Sequence, residues 1–536
     1  MMAFMSVQRL IPALSVVLAA IVLAGCGRPS TPDDQKANDS GGIGSAGRST
    51  GIDAVTVEDA ESPTDKHRVS PPANREIAAP NPSERAGRDT IGPEEETSPT
   101  SPPRPPRRTL ADLLDGPADA TDRWMENAAT VKVDDARVAA AGVRRLDGRH
   151  LTLYTDFPSD EQTDSLPAVF DLAFPQWCEY FEVDPAEMRD WRLTGFLIRD
   201  RERFRRLGLL PDYLPPFQYA FCINTDFWIY QQPGEYYGRH LVLHEGTHCF
   251  MNRRFGACGP PWYMEGIAEL LSTHRWADGR LTLNYVPRSA DEVPMLGRVK
   301  LVKDAMAAGR TLHLEQVLAL RPQAYLETEP YAWSWAAALF LDRHPRWGDA
   351  FRRMRKHALE PDLTERFVEA VDADWPGLEQ QWRVFLADLE YGCDPAKMLI
   401  DPTRGKPIDP SGAMVEISAQ RGWQNSGLRV ERGKTYRLTA SGRYQIADEP
   451  KIWWCEPNGV TIRYYRGRPL GMLLAAVLPS VEDSTIEPGP PEPIPVGLET
   501  TLTPKYAGTL LFKINESAGD WHDNRGGLKV EIGVEP

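Results

Sequence analysis

Apolar residues divide the chain into four zones. Leu10 to Ala24 is an apolar run broken only by Pro12 and Ser15. From Gly27 to about Arg108 there is no aromatic residue, and Pro, Ser, Thr, Gly, Asp and Glu dominate. Such a segment cannot bury enough apolar surface to offset the entropy of ordering it. Patterned sequence begins near Thr109. His150 to Tyr154 alternates as a strand does, and Leu193 to Ile198 reads as a second strand. Between them, Ser165 to Phe181 carries apolar residues at helical spacing. Gln218 to Gln231, rich in aromatic and branched residues, predicts a strand or hairpin turning at Pro233-Gly234. Helical spacing then dominates from Tyr237 to about Leu389. Strands followed by helices predict an α+β domain. Beyond Asp401 the texture changes to short alternating runs divided by Gly and Pro. Thr435 to Thr439, Leu510 to Ile514 and Leu528 to Ile532 are examples. They predict an all-β antiparallel sandwich. The expected organisation is multidomain: a targeting segment over 1–26, a disordered linker over 27–108, an α+β domain over 109–400 and a β-sandwich over 401–536.

Bulk properties narrow the function. A chain of 536 residues exceeds one ordinary domain. A net charge of −15 excludes a nucleic-acid binder, which needs a basic face to displace counterions. The apolar run follows Arg9 and ends in Leu23-Ala24-Gly25-Cys26. This resembles the lipobox of bacterial lipoproteins, and an ordinary secretory signal is the alternative. The resemblance implies cleavage before Cys26, lipidation of its thiol and export to the cell envelope. Gly27, where an aspartate often retains lipoproteins at the inner membrane, leaves outer membrane or outer leaflet open. Pro102-Pro103-Arg104-Pro105-Pro106 would then close the tether as a stiff spacer. Cys178, Cys222, Cys249, Cys258, Cys393 and Cys455 lack the paired spacing of a zinc–thiolate site. Buried thiols, or one or two disulfides, are expected.

The chemistry concentrates in His244-Glu245-Gly246-Thr247-His248. Residues four apart on a helix share a face, so both imidazoles can reach one ion. Glu245 lies one step round and is placed to take a proton from the attacking water. A surface helix with two incidental histidines would not be flanked by Leu241, Val242, Leu243, Phe250 and Met251. A second helix is expected at Trp262-Tyr263-Met264-Glu265-Gly266-Ile267-Ala268-Glu269, entered through Gly259-Pro260-Pro261. Catalytic zinc typically takes three protein ligands. Glu265 would be the third, and Glu269, one turn on, could accept a ligand histidine's other ring N–H. Pro330-Tyr331 opens a further helix. By resemblance to aminopeptidase N relatives, where a tyrosine starts the comparable helix, its phenol is a candidate donor to the negative charge that amide hydrolysis builds on the carbonyl oxygen. Tyr325, His274 and His344 are the alternatives.

These motifs are similar to those of gluzincin metallopeptidases, closest to the bacterial peptidase-MA-like group. In that clan W-x-x-E-G-x-A follows HExxH, and Trp262, Glu265, Gly266 and Ala268 match it. The resemblance implies a zincin-like fold over about His150 to Leu389 and Zn2+ on His244, His248 and Glu265. It also implies a peptide or protein substrate laid along an edge strand before the metal helix, with Glu269 behind a ligand and Tyr331 as the donor. The gap from His248 to Glu265 is shorter than in aminopeptidase N, so that loop should differ. No exopeptidase amine-binding motif is evident, which favours an endopeptidase.

The C-terminal region resembles calcium-dependent bacterial lectins of the galactose-binding type. Trp423-Gln424-Asn425-Ser426-Gly427 fits the opening strands, and Ile514 to Gly526 fits the calcium loop. Glu516, Asp520, Asp523 and Asn524 supply oxygen atoms suited to Ca2+. By the resemblance, Asp520 would contribute its backbone carbonyl. Glu516 stands where aspartate is usual, and a metal-free Gly/Asp-rich turn is the alternative. No counterpart of the sugar-discriminating residues is found in Arg463 to Leu474, so a carbohydrate partner follows from the resemblance without a specificity. Two functional classes remain open. One is a tethered zinc peptidase with an accessory carbohydrate-binding module. The other is a catalytically degenerate binding protein in which the lectin-like part carries the function.

Overall fold

The computed structural model describes residues 130–371, 374–479 and 489–535. The targeting segment with Cys26, the linker over 27–108 and the first residues of the expected α+β domain lie outside them.

A five-stranded sheet comes first. It comprises β1 (Arg144–Asp147), β2 (Leu151–Thr155), β3 (Leu193–Ile198), β4 (Ala220–Ile223) and β5 (Asp226–Tyr230) in the order β1-β2-β3-β5-β4. β2, β3 and β5 run parallel, and β4 closes one edge antiparallel. The alternation in β2 does not mark an exposed face, because all five of its residues are buried. Leu151 and Leu153 enter the main core, while Tyr154 joins Phe196 and Trp228 in a smaller core on the other face. Interior parallel strands covered on both faces have this character. The hairpin also turns elsewhere than expected. β4 and β5 meet at Asn224-Thr225, with Asn224 in the left-handed region at φ 55°. Asn tolerates that conformation by bonding its local backbone. Pro233-Gly234 instead leads into the next helix, with Gly234 extended at its N-cap.

Five helices position the site, α1 (Leu166–Tyr180), α2 (Glu235–Phe255), α3 (Pro261–Ser272), α4 (Arg298–Ala307) and α5 (Glu329–Asp342), and α6 (Trp375–Asp388) follows them. α2 stops at Gly256, which is left-handed at φ 82°, and Arg253 and Arg254 occupy its last turn. That is favourable for both cap and helix dipole. Pro261 starts α3 at a position that needs no N–H. Two glycines set the helix spacing. A Cβ on Gly246 would come within 2.5 Å of the Phe170 ring, so α2 lies tight on α1. A Cβ on Gly266 would meet the Ser334 carbonyl oxygen at 2.8 Å, so α3 lies tight on α5. Both glycines neighbour site residues, and the close approach carries those residues inward.

Helices dominate to Met398 and strands thereafter. The C-terminal part holds a five-stranded sheet ordered Ile494–Pro495, Leu473–Pro479, Gly508–Ile514, Gln424–Val430 and Lys406–Pro407. A four-stranded sheet is ordered Glu499–Leu502, Tyr436–Ser441, Gly527–Val534 and Ala413–Ser418. Leu438, Val530 and Ile532 from one sheet share a core with Ala475, Leu510 and Phe512 from the other. Leu474, Ala476 and Leu511 point the opposite way and pack with Val384 of α6, Ile400 and Trp423. Within that contact Lys513 Nζ lies 2.8 Å from Asp388 Oδ2, both side chains nearly buried. Among the described residues, no helix is long and apolar enough to cross a membrane. Cys178, Cys222, Cys249, Cys258, Cys393 and Cys455 are buried free thiols rather than disulfides.

Candidate metal centre

α2 presents His244 and His248 one turn apart, and α3 presents Glu265 opposite them. His244 Nε2 lies 3.0 Å from His248 Nε2 and 3.2 Å from Glu265 Oε2. His248 Nε2 lies 3.6 Å from the same oxygen. Ligand atoms arranged tetrahedrally at zinc–ligand bond lengths stand about 3.3 Å apart, and these three separations bracket that value. All three residues are buried, and Glu265 Oε2 has no hydrogen-bond partner. A buried carboxylate oxygen costs free energy unless a cation meets it, whether a metal ion or a protonated imidazole. The donor set therefore fits a metal ion. Burial opposes ionisation of Glu265, but His244 and His248 overcome it and hold its carboxyl below the usual range.

Glu269 stands behind the trio. Its Oε1 is 3.4 Å from His244 Nδ1, the ring nitrogen that faces away from Glu265. Burial works against its charge, yet Arg298, His240 and His244 outweigh that and keep it well below the ordinary carboxylate range. Arg298 Nε and Nη2 donate to the two carboxylate oxygens at 2.7 and 2.8 Å. His240 Nε2 lies 3.5 Å from Oε1, and its Nδ1 is 3.1 Å from the Ser272 carbonyl oxygen. Arg298 and His240 are absent from the sequence reading. His240 could have been found, being four residues before His244 on the same face. Arg298 could not, because it sits on a different helix with no motif around it.

His244, Glu245 and Tyr331 line one cavity of about 260 Å³. It is also lined by Glu269 and Arg298, by Tyr237 and Leu241 of α2, and by Gln218, Tyr219 and Ala220 where β4 begins. Glu245 Oε2 is buried without a partner, and burial raises its pKa against the pull of His244 and His248. Tyr331 stands in the first turn of α5 with its ring centroid 6.3 Å from that of His244. Its hydroxyl has no hydrogen-bond partner among the described residues. Burial, reinforced by Glu265, Glu245 and Glu269, lifts its pKa well above that of a free phenol, so it stays protonated and able to donate. Tyr325 is differently committed: its hydroxyl is bonded to Ser334 Oγ at 2.6 Å. His274 stacks on Tyr236 and bonds the Ser272 carbonyl, and His344 bonds Gln381. Neither lines the cavity.

In the C-terminal loop Glu516 and Asn524 are in contact, Asn524 Nδ2 donating to Glu516 Oε2 at 2.6 Å. Asp523 Oδ1 and Asn524 Oδ1 are buried without partners. Burial pushes Glu516 up to about 8 against the hydrogen bond from Asn524, and Asp520 and Asp523 add to the rise. Asp520 is exposed at the rim. Among the described residues, the groups whose ligand atoms lie within reach of one ion do not include Glu516, Asp520 and Asp523.

No model of a known protein family matches the chain, and no curated protein matches it. Among solved structures, the PllA-like lectin N-terminal domain of EclA is 20% identical, covering 23% of this chain and 95% of its own, at a TM-score of 0.18. IMPa metallopeptidase in complex with T-antigen is 12% identical over 79% of this chain and 43% of its own, at 0.15. IMPa from Pseudomonas aeruginosa in complex with an O-glycopeptide is 13% identical over 72% and 37%, also at 0.15. The chain thus spans less than half the length of IMPa. At TM-scores this low, the likeness carries no statement about fold or activity.

Proposed function

We propose that this chain is a zinc-dependent peptidase of the gluzincin type with an accessory carbohydrate-binding module. The observation that carries the proposal is the convergence of His244 Nε2, His248 Nε2 and Glu265 Oε2 within 3.0 to 3.6 Å of one another, with His244 lining a cavity together with Glu245 and Tyr331. Zinc held by these three atoms would supply Lewis-acid polarisation of the scissile carbonyl and of the attacking water. The chain's own residues supply the rest. Glu245 takes the proton from the water and returns it to the leaving amine. Tyr331 donates its O–H to the carbonyl oxygen as negative charge develops. Glu269 takes the N–H of His244 and so leaves Nε2 as the free lone pair. β4 is an edge strand whose N-terminal end borders the cavity, which suits an extended peptide adding to the sheet. Such a substrate passes through the site, in keeping with an endopeptidase.

The test of the function is cleavage of a complex peptide mixture, read by mass spectrometry as new termini. New termini that vanish on chelation and return with zinc are expected. Their absence under every condition would leave the binding-protein reading in place. Tyr331→Phe is expected to lower kcat by about 10² to 10³ with KM little changed. An unchanged kcat would remove Tyr331 from the donor role.

The module reading has its own test. Glu516, Asp523, Asn524 and the Asp520 carbonyl would hold calcium. With a folded-state pKa raised to about 8, Glu516 favours folding fully only below its ordinary pKa, and that contribution is lost as pH rises through the raised value. A cation compensates the buried charge, so calcium should raise Tm more at about pH 9 than at about pH 6. Glu516→Gln should abolish the difference. An equal calcium shift at both pH values, or none, would contradict the site. In the cell, the same reading places the chain at the bacterial envelope, exported and anchored through a lipid on Cys26.

A further inference from the structure

A buried guanidinium in a metal site needs a reason. Arg298 is the first residue of α4, follows left-handed Gly297, and lines the cavity with little exposure. Its planar fork takes both oxygens of Glu269, at 2.7 and 2.8 Å. A carboxylate held by two parallel N–H bonds cannot rotate freely. The oxygen that receives Nη2 is the one 3.4 Å from His244 Nδ1. The fork therefore fixes the oxygen nearest the outer nitrogen of His244. The same guanidinium carbon lies 5.6 Å from the centroid of the Tyr331 ring, so Arg298 also touches the surroundings of the phenol. His240, His244 and Glu269 form a second group close enough to hold an ion. An ion there would compete with the Arg298 fork for Glu269 and sit against its positive charge. Arg298 thus leaves the Glu265 side as the electrostatically favoured position.

Resting on the zinc reading above, we propose that Arg298 is a positioning residue of the metal centre. It acts through Glu269 to lock His244 with Nε2 toward the ion. A Lys in its place would keep the charge and lose the fork, so geometry and charge are separable.

The test measures zinc dissociation constants by chelator competition for wild type, Arg298→Lys, Arg298→Met, Glu269→Gln and the double variant, with Tm recorded for each. Stoichiometric uptake by wild type reports on the zinc reading itself, and its absence would overturn both together. Given uptake, Arg298→Met and Glu269→Gln should each weaken binding by about 10- to 100-fold. The double variant should bind within about twofold of Glu269→Gln, because the Arg298 effect travels through that carboxylate. If Arg298→Met fails to fold, Arg298→Lys carries the test. It should weaken zinc binding several-fold and shift the visible absorption of the cobalt-substituted protein, with a Tm near wild type. Unchanged zinc affinity in folded Arg298 variants would overturn the proposal. So would a full additive loss in the double variant.

Discussion

Glu245→Gln is expected to lower kcat/KM for peptide cleavage by about 10² to 10⁴ while zinc content stays at one per chain. The reasoning is local. Glu245 projects into the same cavity as Tyr331 but is not among the three atoms that converge on the metal position. The amide is isosteric and can bond a water but cannot take its proton. Glu245 Oε2 is buried with no protein partner, and the amide can still accept from the neighbouring Cys222 thiol, so folding should be preserved. Activity assays beside metal analysis check both halves of the expectation. Full activity in the variant would assign proton transfer elsewhere. Cleavage by neither protein, with zinc present in both, would favour the degenerate binding protein.

His248→Ala should have the larger effect on the metal. It removes one of three donors and leaves His244 and Glu265 as a pair, short of the three protein ligands that catalytic zinc usually takes. Zinc should be lost on dialysis against a weak chelator, and hydrolysis should fall to background. The apo protein should still fold, because the surrounding core is large and apolar. Trp177, Phe250 and Trp262 are buried in it, on or beside α1, α2 and α3. Retention of stoichiometric zinc by the variant would show that the ion binds elsewhere. The cluster of His240, His244 and Glu269 is the first place to look.

The metal trio was readable in sequence because its parts are periodic. His244 and His248 share a helical face by spacing alone, and Glu265 is carried by a second short motif. The elements around them followed their patterns, with β3 over Leu193–Ile198 and α1 over Leu166–Tyr180. What was not readable depends on contacts between distant segments. Arg298 reaches Glu269 across 29 positions, and no local pattern announces a buried ion pair. The choice between Tyr331 and Tyr325 turns on one hydrogen bond to Ser334. The turn at Asn224-Thr225 was hidden because Pro233-Gly234 is the stronger turn signal, yet the chain uses that signal to enter α2. Alternation marked β2 as a strand but not its burial, which helices on one side and a second small core on the other complete. In the C-terminal loop, spacing gave the set of oxygens but not their placement. Glu516 meets Asn524 directly, and Asp520 stays at the rim.

The metal centre is the claim on which the rest depends, and anomalous X-ray scattering at the zinc edge tests it most directly. Crystals of the zinc-loaded protein should give a single strong peak in the catalytic region. It should lie about 2.0 to 2.2 Å from each of His244 Nε2, His248 Nε2 and Glu265 Oε2, on the side open to Glu245. No peak at that position, or a peak bounded instead by His240, His244 and Glu269, would contradict the account.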